Sequence, residues 1–402
     1  MIFTLPNGMR VALRQHAGNV SYAGVLINAG TRDEPAAAHG LAHFVEHTIF
    51  KGTPTRSAWN ISNRMESIGG ELNAYTSKET TSVYTVAPAG YEGRAAELIA
   101  DLIENASFPA AELDKEREVI VEEINSCLDN PADYVFDRFE ELLYRGSRLE
   151  NSILGTPESV RSITGADCRA FISRFYNPAN MVGFLSTPLP EAKALRLLER
   201  YWGRILRDGA RPLREAPEPI GRFEETKDDD GHQAHTIVGT RLFARTDPRR
   251  FPLMLLNNYL GGPSMNSRLN YQLRDRRGLV YTVESVMSLL SDTGALYIYF
   301  GTDRRSVDKC LRIIYRELDA LAQNTLSPRR LDKIKAQYCG QLLVSSDNAE
   351  SMAMAQGKNL MFYGSETDIP ALAARLREVS AEEIRGVAEL LVPSAMSHLT
   401  LM

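Results

Sequence analysis

Apolar and polar residues alternate through "VSYAGVLINAG" at 20–30, the period of a half-buried strand. The same alternation flanks the Asn-Gly of "MIFTLPNGMRVALRQ", so the chain begins as strand, tight turn and strand. Three- and four-residue spacing then takes over in "AHGLAHFVEHTIFKG" (38–52) and "SAWNISNRMESIG" (57–69), predicting two helices. "ELNAYTSKETTSVYTVAP" (71–88) reads as two strands around a polar turn. "YEGRAAELIADLIENA" and "AAELDKEREVIVEEINSCL" predict helices punctuated by Pro109 and Pro131.

A first domain is expected over 1–206, and "GARPLREAPEPIGRFEETKDDDG", dense in proline and charge, places an exposed linker at 207–230. A second domain over 231–402 restarts the pattern. One register makes the repeat concrete: "ELDKEREVIVEEINSCLDNP" at 112–131 lies over "RLDKIKAQYCGQLLVSSDNA" at 330–349, an offset of 218. At that offset "YRGS" at 144 also meets "FYGS" at 362. The fold class expected is α+β: two homologous domains, each an antiparallel-rich mixed sheet packed with helices.

Composition excludes more than it suggests. Of 402 residues 44% are apolar and 24% charged, and the net charge of −5 offers no reason to approach nucleic acid or an anionic membrane. No apolar run reaches the roughly 18 residues of a membrane span. The opening strand pattern lacks the basic and apolar regions of an export signal, so a cytoplasmic location is expected. Cys127, Cys168, Cys310 and Cys339 are scattered without CxxC spacing, which suits small buried hydrophobes better than disulfides or a thiolate metal site.

Three of the seven histidines fall within residues 39–47. On a helix His43 and His47 stand one turn apart on one face, where two imidazoles can converge on one ion. Catalytic zinc takes three protein ligands and keeps a fourth position for water, so a third ligand must come from elsewhere. Glu46 points to one side of the pair, where a general base is needed. His39 falls on the same face as His43 and could close a structural site instead. Downstream, Glu116 and Glu123 are two turns apart on one face of an otherwise apolar helical stretch, so each needs a partner. Glu123 as ligand and Glu116 as acceptor for a ligand imidazole N–H would supply them; helical geometry leaves Glu122 open as the ligand. In the second copy Leu253, Leu256 and Asn257 stand opposite His43, Glu46 and His47, and Gln341 stands opposite Glu123. The repeat has lost every metal-competent side chain, so the fold does not require them.

Over essentially its whole length the chain resembles the pitrilysin-type (inverzincin) zinc metallopeptidases, which include the mitochondrial processing peptidase β-subunit and many bacterial proteins of this size. H-x-x-E-H is followed in that family by a ligand glutamate about 76 residues later; here the spacing from His47 selects Glu123. The resemblance implies one Zn2+ per chain held by His43, His47 and Glu123, water activated by Glu46, and Glu116 supporting the site. "GGELNAYTSKETTSVY" is similar to the family's strand whose edge pairs with extended substrate, which points to Asn73 and Ala74. "GGPSMNSRLNYQLRDRRGLVYTV" is similar to a second-domain segment whose arginine and tyrosine reach into the catalytic chamber; the family's seven-residue spacing selects Arg274 and Tyr281, with Arg276 and Arg277 as rivals. It also implies a clam-like homodimer, or a heterodimer with a paralogous chain. His232 and His235 are expected on a sheet surface, without a ligand role. The expected function is therefore a zinc-dependent endopeptidase acting on peptides or unfolded segments inside a closed dimer chamber. The competing reading is a non-catalytic peptide-binding or processing-complex subunit with a stabilising zinc.

Overall fold

The computed structural model describes residues 1–228 and 231–402. Among them the chain forms two compact units. The first gathers residues 1–125, 151–214 and 345–367; the second gathers 126–150, 215–344 and 368–402.

The first half of the chain runs β1 (Ile2–Thr4), β2 (Arg10–Gln15), β3 (Val20–Ile27), α1 (Leu41–Thr48), β4 (Gly52–Thr53), β5 (Arg56–Ser57), α2 (Ala58–Glu66), β6 (Glu71–Thr76) and β7 (Thr81–Pro88). It continues through α3 (Glu92–Asn105), α4 (Ala110–Leu128), α5 (Pro131–Leu143), α6 (Pro157–Ser162), α7 (Gly165–Phe175), β8 (Met181–Thr187) and α8 (Glu191–Tyr201). The second half runs β9 (Glu224–Lys227), β10 (Gln233–Leu242), α9 (Arg250–Gly261), β11 (Val280–Leu289), β12 (Gly294–Asp303), α10 (Val307–Gln323), α11 (Pro328–Ser345), α12 (Ala349–Tyr363), α13 (Ile369–Glu378), α14 (Ala381–Ala388) and β13 (Ser397–Leu401). β9 lies inside the stretch read as linker.

The two sheets share one topology. The first is ordered β1-β2-β8-β3-β7-β6, the second β11-β12-β10-β13-β9. Read from the other end, the second order matches the first strand for strand once β1 is set aside. In each sheet a single parallel pair, β2 with β8 and β9 with β13, sits among antiparallel neighbours. The helices follow the same correspondence: the offset of 218 carries α4 onto α11 and α5 onto α12.

Each sheet buries both faces. On the first, Val25, Ile27, Phe44, Ile99 and Ile103 form one large core; on the opposite face Leu26 and Val182 pack with Leu360 of α12. That helix can lie close because Gly357 meets the Phe184 ring, where a Cβ would approach to 2.8 Å. The second sheet has its main core among Val238, Leu253, Ile298 and Ile314, and on its other face Ile237 and Tyr297 pack with Val135 and Phe139 of α5. Thus α12 covers the first sheet and α5 the second, each drawn from the other half of the chain. None of the four cysteines is in a disulfide among the described residues; Cys127 is half-buried and the other three are buried. Among the described residues no helix is long and apolar enough to cross a membrane.

Candidate metal centre

The helix that carries the histidines starts abruptly. Gly40 occupies the N-cap with φ of 84°, and a Cβ there would come within 2.6 Å of the Leu154 carbonyl oxygen, so only glycine fits. Glycine offers no capping side chain. Glu34 supplies it from outside, its carboxylate accepting from the N–H groups of Gly40 (2.9 Å) and Ala42 (2.7 Å). Phe44 and Val45 then anchor α1 in the core. The 100° advance per residue turns His43 and His47 to one side.

There the two imidazoles meet α4. His43 Nε2 lies 3.8 Å and His47 Nε2 3.6 Å from the same oxygen of Glu123, and the ligand atoms of the three residues all lie within 4.8 Å of one another. Glu122 and His39 are outside this group. Four-coordinate zinc with bonds of about 2.0–2.1 Å sets its ligand atoms roughly 3.3 Å apart. The two imidazole–carboxylate separations exceed that by a few tenths of an ångström and are too long for direct hydrogen bonds. Two imidazole nitrogens and one carboxylate oxygen converging at this spacing fit a borderline-soft divalent cation.

Electrostatics prepares the ligands. Burial, with His47 alongside, pushes the His43 imidazole down to about 4, so at neutral pH it is uncharged and its lone pair is available. His47 Nδ1 sits 3.3 Å from Glu116 Oε2, and Lys51 reaches the other oxygen of Glu116 at 2.6 Å. With Glu116 accepting, the His47 proton sits on Nδ1 and Nε2 presents its lone pair toward Glu123. Glu46, half-buried beside His47, has its carboxyl raised above the ordinary range chiefly by burial, against the lowering effect of Thr76 and His47.

The other expected site residues are placed as follows. Asn73 and Ala74 lie on β6, the terminal strand of its sheet, whose outer edge pairs with no described strand. Leu72 and Ala74 pack toward the core beneath α1. Asn73 therefore faces the opposite side, where its side chain donates to Glu71 at 3.3 Å. In the second unit Arg274 belongs to a π-helical turn, Asn270–Asp275, and Tyr281 to the start of β11 at a register shift between Val280 and Thr282. Both are exposed. The Tyr281 hydroxyl donates to Asp303 at 2.9 Å, while the rival Arg277 is engaged with the carbonyl and side chain of Gln272, both at 2.6 Å. His235 stacks on Tyr299 and meets its hydroxyl at 2.8 Å, on the face covered by α5.

Sequence reasoning missed Glu34, Lys51 and Thr76. Lys51 is 65 positions from its partner and nothing local marks the pair. Thr76 was detectable, since it lies two residues from Ala74 on one strand and so shares its face.

Comparison with known proteins identifies the family. A family model described as insulinase (peptidase family M16) matches residues 10–157, and one described as the M16 inactive domain matches 162–338. A Bacillus subtilis protein named as an uncharacterized zinc protease is 32% identical over 390 residues, covering 97% of this chain and 95% of its own. The chain belongs to peptidase family M16. Another M16 relative, the mitochondrial-processing peptidase subunit beta of Caenorhabditis elegans, is 27% identical over 96% of this chain and 86% of its own. The M16 fold is shared with a solved protease from Helicobacter pylori, at a TM-score of 0.93 and 21% identity over 100% and 99% of the two chains. A structure titled peptidase M16 inactive domain from Pseudomonas fluorescens gives 0.92 and 18%, covering 100% and 97%.

Proposed function

We propose that this M16 chain is a zinc endopeptidase that hydrolyses peptides or unfolded segments, with Glu46 as its general base. The observation that carries the reading is the convergence of His43, His47 and Glu123 beside the half-buried Glu46. His43, His47 and Glu123 would hold the metal, and Glu116 would fix the His47 ring through its Nδ1–H. Zinc, when bound, supplies a Lewis acid that polarises water and a peptide carbonyl.

The rest is work for the protein's own groups. An extended substrate adds to the free edge of β6, where main-chain groups around Asn73 and Ala74 can pair with it whatever its side chains are. Because the Asn73 side chain faces away from α1, its contribution on this reading is through the backbone. Glu46 accepts a proton from the attacking water and delivers it to the departing amine nitrogen. Arg274 and Tyr281 donate hydrogen bonds to the substrate carbonyl or the developing oxyanion. Two copies of the chain form the chamber, the second domain of one serving the metal-binding domain of the other.

Glu46→Gln tests the base directly. The variant should retain zinc by metal analysis and lose roughly 10²- to 10⁴-fold in turnover of a quenched fluorescent peptide. A zinc-replete variant as fast as the unaltered chain would refute the role. Mixing Glu46→Gln with Arg274→Ala chains extends the test to the dimer: activity should return after subunit exchange, and its failure to return would remove the composite site.

A further inference from the structure

The stretch expected as linker begins strapped to the first unit, which extends to Arg214. Ala210 N–H donates to the Arg174 carbonyl at 2.9 Å and the Arg211 guanidinium to the Ala179 carbonyl at 3.0 Å. Leu213 is almost fully exposed, so the main chain there runs over the surface. The next side chain turns inward and joins three segments. Arg214 Nε and Nη2 donate to the two carboxylate oxygens of Asp33 at 2.9 and 2.7 Å, and Nη1 donates to Asn28 Oδ1, just past β3, at 3.0 Å. Nη2 also donates to the Glu79 carbonyl at 2.9 Å, in the turn that joins β6 to β7.

Ion pairing closes the group. Arg32 meets Glu79 at 2.7 Å, so two guanidinium groups and two carboxylates stand together, with side chains 10% exposed or less. Burial requires that balance of charge. Main-chain bonds run beside them: Thr31 N–H donates to the Ser77 carbonyl at 3.2 Å and Arg32 N–H to the Lys78 carbonyl at 2.8 Å. Glu34, the next residue along from Asp33, is the one whose carboxylate caps α1 through Gly40 and Ala42. Residues 31–34 are thus bonded on one side to the turn that ends the β6 edge strand and on the other to the first turn of the helix that carries the histidines.

We infer that Arg214 is a positioning residue: it clamps β6 at a fixed offset from α1, and so decides which peptide bond of a docked strand arrives at the metal. The consequence for cleavage rests on the peptidase reading, while the coupling itself does not. A peptide added to β6 takes its register from that strand's main chain, whereas the metal takes its position from α1. An error of about one ångström between the two can cost roughly a hundredfold in rate, and a slip along the strand presents a different bond. Arginine is needed because only a planar fork can span both oxygens of Asp33 and still reach a carbonyl.

The test uses the full chain carrying Arg214→Lys, which keeps the charge and loses the fork. Should that substitution unfold the protein, Arg214→Met with Asp33→Asn removes both charges together and leaves no orphaned ion. With zinc content equal to that of the unaltered chain, mass spectrometry of one synthetic unstructured peptide should show cleavage spreading to bonds next to those normally cut. The value of kcat/KM should fall about tenfold. A purely structural clamp would lower Tm and leave the cleavage map as it was; that result, or unfolding of both variants, overturns the positioning role. The second readout needs neither zinc nor hydrolysis. In metal-free protein, hydrogen exchange should quicken by about tenfold both at Ser77, whose N–H donates to Thr80 in the turn, and at Gly40 and Ala42, which donate to Glu34. Faster exchange on one side only, or on neither, overturns the coupling. If the unaltered chain cuts no peptide while exchange rises on both sides, the peptidase reading fails and the coupling stands.

Discussion

α1 with α4 and α9 with α11 occupy equivalent places in two sheets of one topology, and they differ in what they bury. Where α1 carries His43 and Glu46, α9 carries Leu253 and Leu256, which are completely buried. The offset that aligns α4 with α11 puts Glu116 opposite Ile334, a core residue, and Glu123 opposite Gln341, whose amide donates to Ser264 at 2.7 Å. The second unit solves the packing problem with hydrocarbon. The first solves the same problem with ionisable groups that must be paired, capped or neutralised, and it spends Glu34, Lys51 and Thr76 doing so. The architecture is thus indifferent to the metal-binding residues, and their presence in one copy reflects chemistry.

The sharpest way to break the comparison is to write the first copy's residue into the second. Leu256→Glu recreates the counterpart of Glu46 at a position buried in a hydrocarbon core. An uncompensated buried carboxylate costs roughly 3–5 kcal/mol, so the second unit should melt far earlier or fail to fold. Urea unfolding followed by fluorescence measures it, and a loss under about 1 kcal/mol would mean that α9 tolerates charge and that the contrast is false. A smaller effect is expected in the first copy. Glu116→Gln weakens the acceptor for His47 Nδ1–H and breaks the pair with Lys51, and should raise the zinc dissociation constant about tenfold to a hundredfold. Competition with a chromophoric chelator reads this; unchanged affinity would make Glu116 a mere surface partner of Lys51.

How much of this the sequence could disclose depends on how local the cause is. The strands β3, β6 and β7 and the helices α1 to α4 follow from periodicity because each carries its pattern within one short segment, although β3 proves to be buried on both faces. The pairing of His43 with His47 follows from helical geometry alone. The ends of α1 do not: apolar spacing suggested 38–52, but the left-handed Gly40 delays the start until Leu41, and the helix stops at Thr48. β9 falls within the expected linker because "EETK" has no apolar alternation; it is a strand only by virtue of its parallel ladder with β13, more than 170 residues away. No local pattern tells α5 to cover the second sheet or α12 the first, since an amphipathic helix records that it needs a surface and not which one. The π-helical turn at Asn270–Asp275 is similarly silent, a shift of one hydrogen-bond register within an ordinary helical composition.

The finest prediction runs the comparison in the other direction. His43 is 6% exposed, and its Nδ1 is buried without a hydrogen-bond partner. Its imidazole is uncharged at neutral pH because burial holds it near 4, so no ion pair is lost when it is replaced. Substituting the residue that α9 uses, His43→Leu, fills similar volume with hydrocarbon and removes the orphaned donor, which on its own costs about 1–3 kcal/mol. Some of that gain is returned as misfit against Phe44 and the core around it. A net stabilisation of about 1 kcal/mol is expected for the metal-free protein, a rise in Tm of roughly 2–4 °C for a unit of this size. Zinc binding and hydrolysis should be lost in the same variant. Calorimetry in the presence of chelator gives the sign: a higher Tm in an inactive protein means that His43 is held at the expense of the fold, whereas a lower one means that the imidazole also has a structural task that Leu253 does not share.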